Sequence, residues 1–165
     1  MIARHFIDSL DFARQERELC GEIAVAEMPR LQDLLASPRG AVNFILRGMA
    51  GRDGNPMLEL ELDGSCQMRC QRCLGEMTYP VKLVSHLLLV PENELDEFVD
   101  EEGEMDCIAA DSHLDVQDLI EDEILLSLPF APRHPAGVCR SAVNEFNSAG
   151  ENPFAVLSGL KMSNH

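Results

Sequence analysis

The sequence predicts an α+β fold, in which an antiparallel β-meander or a partly open barrel is packed with a few helices. Three observations support this prediction. The middle of the chain alternates apolar and polar residues with the period of a β-strand, residues 116–128 have the period of an amphipathic helix, and shorter helical segments precede both. At 165 residues the chain is the size of one domain. We predict one α+β domain over residues 1–150 and a short C-terminal helix or tail over residues 151–165.

The first third of the chain carries weaker patterns. Residues 8–18 and residues 28–35, which include Pro29, each have a helical pattern of apolar residues. Between them, residues 22–27 place Ile23 and Val25 on one side, which is typical of a short strand. We therefore predict helix, strand and helix before the meander begins.

Three alternating segments predict the meander itself. The first has Val42, Phe44 and Leu46 on one face, and residues 52–55 then supply a glycine-containing turn. The second has one face formed by Leu58, Leu60, Leu62, Gly64, Cys66, Met68 and Cys70. The third has one face formed by Tyr79, Val81, Leu83, Leu87 and Leu89. This parity predicts strands with one buried face, and it assigns Cys66 to the core.

An acidic segment follows the third strand. In residues 92–106, nine of fifteen residues are Asp or Glu and none is Lys or Arg. Such a composition cannot bury enough apolar surface to become ordered, so we expect an acidic flexible loop over about residues 92–112. The alternative is that this segment docks a basic partner.

The strongest helix prediction comes next. Asp115 can cap a helix whose apolar positions run from Val116 to Leu128, and Pro129 ends it. Residues 121–123 are all acidic, and because consecutive residues point around a helix, we interpret them as a solvated face rather than a catalytic cluster. Near the C-terminus, the order Asn152, Pro153, Phe154 predicts the start of a short helix that continues to Leu160.

The charge balance bears on the kinds of partner. With 13 Lys and Arg against 29 Asp and Glu, the formal net charge is −16, which repels nucleic acid from most of the surface and favours basic proteins. The same charge is also a simple route to solubility. We find no signal-peptide core near the N-terminus and no run of roughly 20 apolar residues, so we expect a cytoplasmic protein. In that reducing compartment, six cysteines indicate thiols or metal ligands rather than disulfides.

Four residues form a candidate zinc site. Cys70 and Cys73 have the Cys-x-x-Cys spacing that lets two thiolates bind one metal, and Gly75 permits a tight turn beside them. His134 and Cys139 lie in a loop rich in proline and glycine after the predicted helix. Together they predict a structural Cys₃His zinc site. Two alternatives remain open: ordinary reduced thiols, or a redox pair, although redox motifs of this kind usually begin a helix.

Arginines cluster around these proposed ligands. Arg69, Arg72, Arg133 and Arg140 each lie next to a ligand or between two ligands. If the two ligand pairs converge, these arginines form a positive patch for a partner or RNA. Alternatively, they offset the negative charge of a Cys₃His zinc site.

Familiar catalytic and stacking motifs are absent from the sequence. There is no phosphate-binding glycine loop, no Gly-x-Ser-x-Gly and no His-Glu-x-x-His. One Tyr and no Trp offer little for stacking RNA bases. We therefore expect a protein that is not an enzyme.

Several of these segments, in order, resemble the YceD-like large ribosomal RNA subunit accumulation protein family. The segments are Cys70-Gln71-Arg72-Cys73, residues 120–129, Pro132 and His134 with Cys139, and residues 152–157. The resemblance implies a non-enzymatic role in large-subunit rRNA accumulation and ribosome biogenesis in bacteria. Combined with the charge pattern, it leads to the hypothesis of an assembly factor whose acidic surface binds a basic ribosomal protein or whose arginine patch contacts precursor rRNA. A thiol redox protein and a metal-free interaction module are the competing hypotheses.

Overall fold

The computed structural model describes residues 4–51, 54–95 and 106–139. It confirms the α+β fold, with a five-stranded sheet that is open rather than closed into a barrel. In chain order the elements are β1 (Phe6–Ile7), α1 (Ser9–Arg14), β2 (Glu18–Ala24), β3 (Leu35–Ala50), β4 (Pro56–Arg69), β5 (Glu76–Val90), β6 (Asp106–Ala109), β7 (Leu114–Asp115) and α2 (Val116–Ser127). The large sheet has the order β2-β3-β4-β5-β6, and β1 pairs separately with β7.

The predicted meander is formed by β3, β4 and β5, which pair antiparallel in sequence order. Their register places Phe44 opposite Leu62 and Leu62 opposite Leu83. One side of the sheet, here called the inner face, packs against both helices. Its buried residues include Val42, Phe44, Leu46, Leu58, Leu60, Leu62, Cys66, Val81, Leu87 and Leu89. The alternation in the sequence therefore identified the inner face correctly, including the core position of Cys66.

Helix α1 packs closely on the inner face. Its N-cap is Asp8, whose carboxylate accepts a hydrogen bond of 2.9 Å from the amide of Asp11. The helix ends at Arg14, earlier than predicted, and β2 begins at Glu18. At Gly48 on β3, a Cβ atom would lie 2.3 Å from the carbonyl oxygen of Phe12. Glycine is therefore required here for the helix to approach the strand.

The predicted helix over residues 28–35 is wrong. Only a single 3₁₀ turn, Pro29–Leu31, is present, and β3 begins at Leu35 opposite Met68. The side chain of Leu34, which a helix over these residues would place on its apolar face with Leu31 and Leu35, is 49% exposed. The strand predicted within residues 22–27 exists, but it runs from Glu18 to Ala24 and gives way to a 3₁₀ turn.

Strand β6 corrects the prediction of a loop over about residues 92–112. Residues Asp106–Ala109 pair with β5 in the parallel direction, and residues 96–105 lie outside the described ranges. Met57, Leu88 and Val90 are buried although their parity places them on the outer face. Strands in parallel pairs are commonly covered on both faces, and alternation does not signal this. The prediction of one buried face therefore fails at this end of the sheet.

Helix α2 begins where the sequence predicts. The Asp115 carboxylate accepts a hydrogen bond of 2.9 Å from the amide of Gln117, and the helix ends before Pro129. No helix in the described part of the chain is long and apolar enough to cross a membrane. The helix predicted to start at Asn152 lies outside the described residues.

The acidic residues 121–123 do not form a solvated face. Glu121 is fully buried, and its Oε1 accepts hydrogen bonds from the amides of Arg30 (2.6 Å) and Leu31 (3.1 Å). Glu123 is also buried and accepts a hydrogen bond of 2.5 Å from Ser85 Oγ on the inner face. The carboxylates of Glu121 and Glu123 connect α2 to the 3₁₀ turn and to the sheet. Of residues 121–123, only Asp122 is exposed, as predicted for a solvated face.

Candidate metal centre

The four predicted ligands lie together at one end of the sheet. One donor atom each from Cys70, Cys73, His134 and Cys139 can be chosen so that all four lie within 4.8 Å of one another. Cys70 directly follows β4, and Cys73 lies in the turn that leads into β5. The other two ligands lie in the segment after α2. The centre therefore joins the β4–β5 turn to a segment more than 60 residues further along the chain.

The β4–β5 turn presents backbone amides to sulfur. It is closed by hydrogen bonds of 2.9 Å from Cys70 N to the carbonyl oxygen of Gly75 and from Leu74 N to the carbonyl oxygen of Cys70. The left-handed residue of this turn is Leu74, with φ of 57°, rather than the glycine that the sequence suggested. The amides of Arg72 and Cys73 hydrogen bond to the Cys70 sulfur. This arrangement stabilises a thiolate at Cys70.

The segment after α2 docks on this turn through its backbone. Gln71 N donates to the carbonyl oxygen of Pro132 at 2.8 Å, and Arg72 Nη2 donates to the carbonyl oxygen of His134 at 3.2 Å. In return, the amide of His134 donates to Cys70 Sγ at 3.4 Å. These contacts fix the second pair of ligands beside the first.

The ring of His134 has a defined orientation. Its Nε2 lies 3.1 Å from the carbonyl oxygen of Glu76, which can only accept, so Nε2 carries the proton. In the neutral ring Nδ1 is therefore the nitrogen with a free lone pair, and it lies 3.4 Å from Cys73 Sγ and 3.6 Å from Cys139 Sγ. A hydrogen bond from the distal nitrogen is the usual support for a histidine metal ligand. Because Glu76 contributes only its backbone, no side-chain pattern could have revealed this role.

The thiols differ in acidity. Burial opposes ionisation of Cys70, but the three backbone amides that donate to its sulfur lower its pKa to about 5. Burial also opposes ionisation of Cys139, while hydrogen bonds from Arg72 and His134 lower its pKa. The amide of Gly75 favours the Cys73 thiolate, but burial and the two neighbouring sulfurs outweigh it and raise the pKa of Cys73. Negative charge is thus concentrated on two sulfurs that face a common centre.

The thiolates also act on the histidine. Hydrogen bonds that the protonated ring donates to the thiolates of Cys139 and Cys70 raise the pKa of His134. The two thiolates create a negative electrostatic potential at the centre of the cluster. The potential that favours a protonated imidazole would also attract a metal cation to the same position.

The spacing of the donors fits zinc. Tetrahedral zinc with Zn–S bonds of about 2.3 Å and a Zn–N bond of about 2.0 Å places its ligand atoms about 3.5–3.8 Å apart. The sulfurs of Cys70 and Cys139 lie 3.6 Å apart, and His134 Nδ1 lies 3.4 Å from Cys73 Sγ. Three sulfurs and one imidazole nitrogen are a donor set that zinc commonly takes in proteins.

The predicted arginines lie in different settings. Arg72 Nε donates to Cys139 Sγ at 3.0 Å, which supports the view that this arginine offsets thiolate charge. Arg69, at the end of β4, and Arg133, next to Pro132, are both exposed. Arg140 lies outside the described residues.

The other cysteines do not join this cluster. Cys66 is 1% exposed in the core, where burial raises the pKa of its thiol. Cys20 is exposed on β2, and Cys107 lies on β6.

Comparison with known proteins identifies the family. A family model described as "Large ribosomal RNA subunit accumulation protein YceD" matches residues 58–161. The chain belongs to the YceD family. The match spans β4, β5, β6, α2 and all four clustered ligands, and no solved structure matches the chain. The YceD family name supports a role in rRNA accumulation and ribosome biogenesis, and it describes accumulation rather than a catalytic activity.

The geometry bears on the redox alternative. In thioredoxin-like sites the Cys-x-x-Cys motif opens a helix, whose N-terminus lowers the pKa of the first thiol. In this YceD-family protein Cys70 and Cys73 lie in a turn between two strands. The low pKa of Cys70 arises from individual amides instead. This arrangement is typical of a metal knuckle rather than of a disulfide oxidoreductase.

Proposed function

We propose that this YceD-family protein is a non-enzymatic accessory factor for large-subunit rRNA accumulation, built around a structural zinc ion. The observation that carries the proposal is the convergence of four ligand atoms within 4.8 Å in a chain of this family. A zinc ion at Cys70, Cys73, His134 and Cys139 has four protein ligands and no open position for substrate. Its role is to hold two distant parts of the chain together.

The partner belongs to the cytoplasmic machinery that assembles the large subunit. The acidic surface, with a formal net charge of −16, favours a basic ribosomal protein. The exposed arginines near the centre favour precursor rRNA. Both partners are consistent with accumulation of large-subunit rRNA, since bound rRNA or a correctly delivered ribosomal protein protects the precursor.

Metal content provides the first test. Protein purified without chelators should contain about one zinc ion per chain, because all four ligands converge on one position. Elemental analysis before and after treatment with a thiol-blocking reagent measures this content. A metal-free protein that cycles between dithiol and disulfide would support the redox hypothesis instead. A metal-free protein without that chemistry would support the interaction module.

Depletion in growing cells tests the biological role. We expect the ratio of large-subunit to small-subunit rRNA to fall, which quantitative hybridisation of total RNA measures. Re-expression of the wild type or of Cys20→Ser should restore the ratio, because Cys20 is exposed and outside the metal cluster. Cys139→Ser should restore it poorly. An unchanged ratio after depletion would contradict a role in rRNA accumulation.

A further inference from the structure

An apolar cleft of about 380 Å³ lies beside the metal centre. Its walls come from the start of β3, the end of β4 and the end of α2, and its apolar lining includes Leu34, Leu35, Met68, Leu125, Leu128 and Phe130. Gln71 and Pro132 also line it, and these residues join the two halves of the metal centre through their backbone hydrogen bond. This volume is within the range of about 300–1,000 Å³ for small-ligand sites.

Phe130 presents a fully exposed aromatic ring at this cleft. The scarcity of Tyr and Trp predicted no stacking platform, but a phenylalanine ring also stacks on a base. Helix α2 ends at Ser127, and Phe130 lies beyond Pro129, so the packing of α2 does not bury the ring. Such a ring beside an apolar cleft is a feature of interaction sites.

Two exposed arginines lie at this cleft or next to one of its lining residues, on a strongly acidic protein. Arg69 lines it, and Arg133 is adjacent to Pro132 in the lining. Both arginines are exposed, and neither forms an ion pair with any residue in the described ranges. Asp33 is the one acidic residue in the described lining. Two guanidinium groups that have no ion-pair partner among the described residues, next to an apolar cleft, match a ligand that combines a flat ring with phosphates.

We propose that this cleft binds an unpaired RNA nucleotide, with its base against Phe130 and its phosphates at Arg69 and Arg133. The inference rests on the proposed function and names RNA as the direct partner of this region. The side chains of Gln71 and Asp33 offer hydrogen-bonding groups for the edge of the base. An uncharged peptide would fill the cleft without using the two guanidinium groups, and binding of an acidic peptide in preference to RNA would contradict the proposal.

The surrounding charge limits how RNA binds. Because the whole chain carries −16, a long backbone track would be repelled, and contact is confined to a short unpaired segment. A duplex cannot place a base in the cleft without opening. Binding should therefore distinguish single-stranded from double-stranded RNA.

The test is fluorescence anisotropy of the metal-loaded full chain with labelled single-stranded RNA of about ten nucleotides, a length within the usual site sizes. Phe130→Ala should weaken binding about tenfold, since stacking of one base contributes on that scale. Phe130→Tyr should retain it. Leu126→Ala is the matched control, because Leu126 is 78% exposed on α2 but does not line the cleft. Zinc content and urea midpoints show whether each variant is folded.

Salt dependence tests the phosphate contacts separately. Arg69→Glu or Arg133→Glu should reduce the slope of log affinity against log salt by about 0.7 each, the value for one phosphate contact on a single strand. Equal binding by wild type, Phe130→Ala and Arg69→Glu would overturn the proposal, as would equal affinity for duplex RNA. So would binding of purified large-subunit ribosomal proteins, but not of RNA, through Phe130. A depletion phenotype without RNA binding would leave the role in rRNA accumulation intact and remove only this inference.

Discussion

Cys139→Ser is expected to abolish zinc binding and to destabilise the protein by about 4 kcal/mol. The proposed zinc ion would close a loop between Cys70 and Cys139, which are 69 residues apart. By analogy with covalent cross-links, closing a loop of this length contributes about 4 kcal/mol by restricting the unfolded chain. That is a large fraction of the typical stability of a domain, about 5–15 kcal/mol. Urea unfolding with parallel elemental analysis measures both effects.

The control for this prediction is Cys20→Ser. Cys20 is exposed and outside the cluster, so zinc content should be unchanged and stability should change by less than about 0.5 kcal/mol. A chelator should lower the midpoint of the wild type toward that of Cys139→Ser and should not affect the variant itself. If Cys139→Ser retains stoichiometric zinc and full stability, Cys139 is not a required ligand; if the wild type itself contains no zinc, the structural metal is refuted.

Glu121→Ala is expected to destabilise the protein by about 2–4 kcal/mol. The carboxylate is fully buried and accepts hydrogen bonds from the amides of Arg30 and Leu31. Alanine removes the acceptor and leaves both donors of the 3₁₀ turn without their partner. Glu121 also pairs with Arg30 Nε at 3.1 Å, but that arginine is 45% exposed, so solvent weakens the ionic part. The urea midpoint at constant m-value measures the loss.

Asp122→Ala is the matched control, because Asp122 contacts the same arginine from an exposed position. Exposed ion pairs contribute at most about 1 kcal/mol, so this variant should remain close to the wild type. Glu121→Gln retains one acceptor oxygen and should lie between the two. Equal destabilisation by Glu121→Ala and Asp122→Ala would show that the buried hydrogen bonds do not stabilise the fold.

Glu121 and Asp122 are adjacent acids with different environments, and this difference could not be predicted from the sequence. The alternation from Leu58 to Met68 predicted a buried face correctly, because every second side chain of a strand points to the same side of the sheet. A helical pattern places residues on faces but does not say which other segment arrives there. The two amides that Glu121 satisfies belong to a turn about 90 residues earlier in the chain. For the same reason, the parallel pairing of β6 was not predictable from its local composition.

The clustering of the four predicted ligands was more predictable than the contacts around them. Cys70 and Cys73 are three residues apart, so their metal-binding spacing is visible in the local sequence. His134 and Cys139 lie in a loop that contributes no strand or helix, which makes them recognisable as the second pair of ligands. All four predicted ligands lie in the cluster. The carbonyl of Glu76 and the docking of Gln71 on Pro132 were not predicted, because backbone contacts leave no trace in residue type.

The order of contacts along the chain has a consequence for synthesis. Strands β3, β4 and β5 pair with immediate neighbours, so a growing polypeptide can complete this hairpin array before residues 134–139 emerge from the ribosome. Metal binding at the proposed zinc site would then be a late event. An interaction formed after the folding transition state prolongs the lifetime of the native state and leaves the folding rate nearly unchanged.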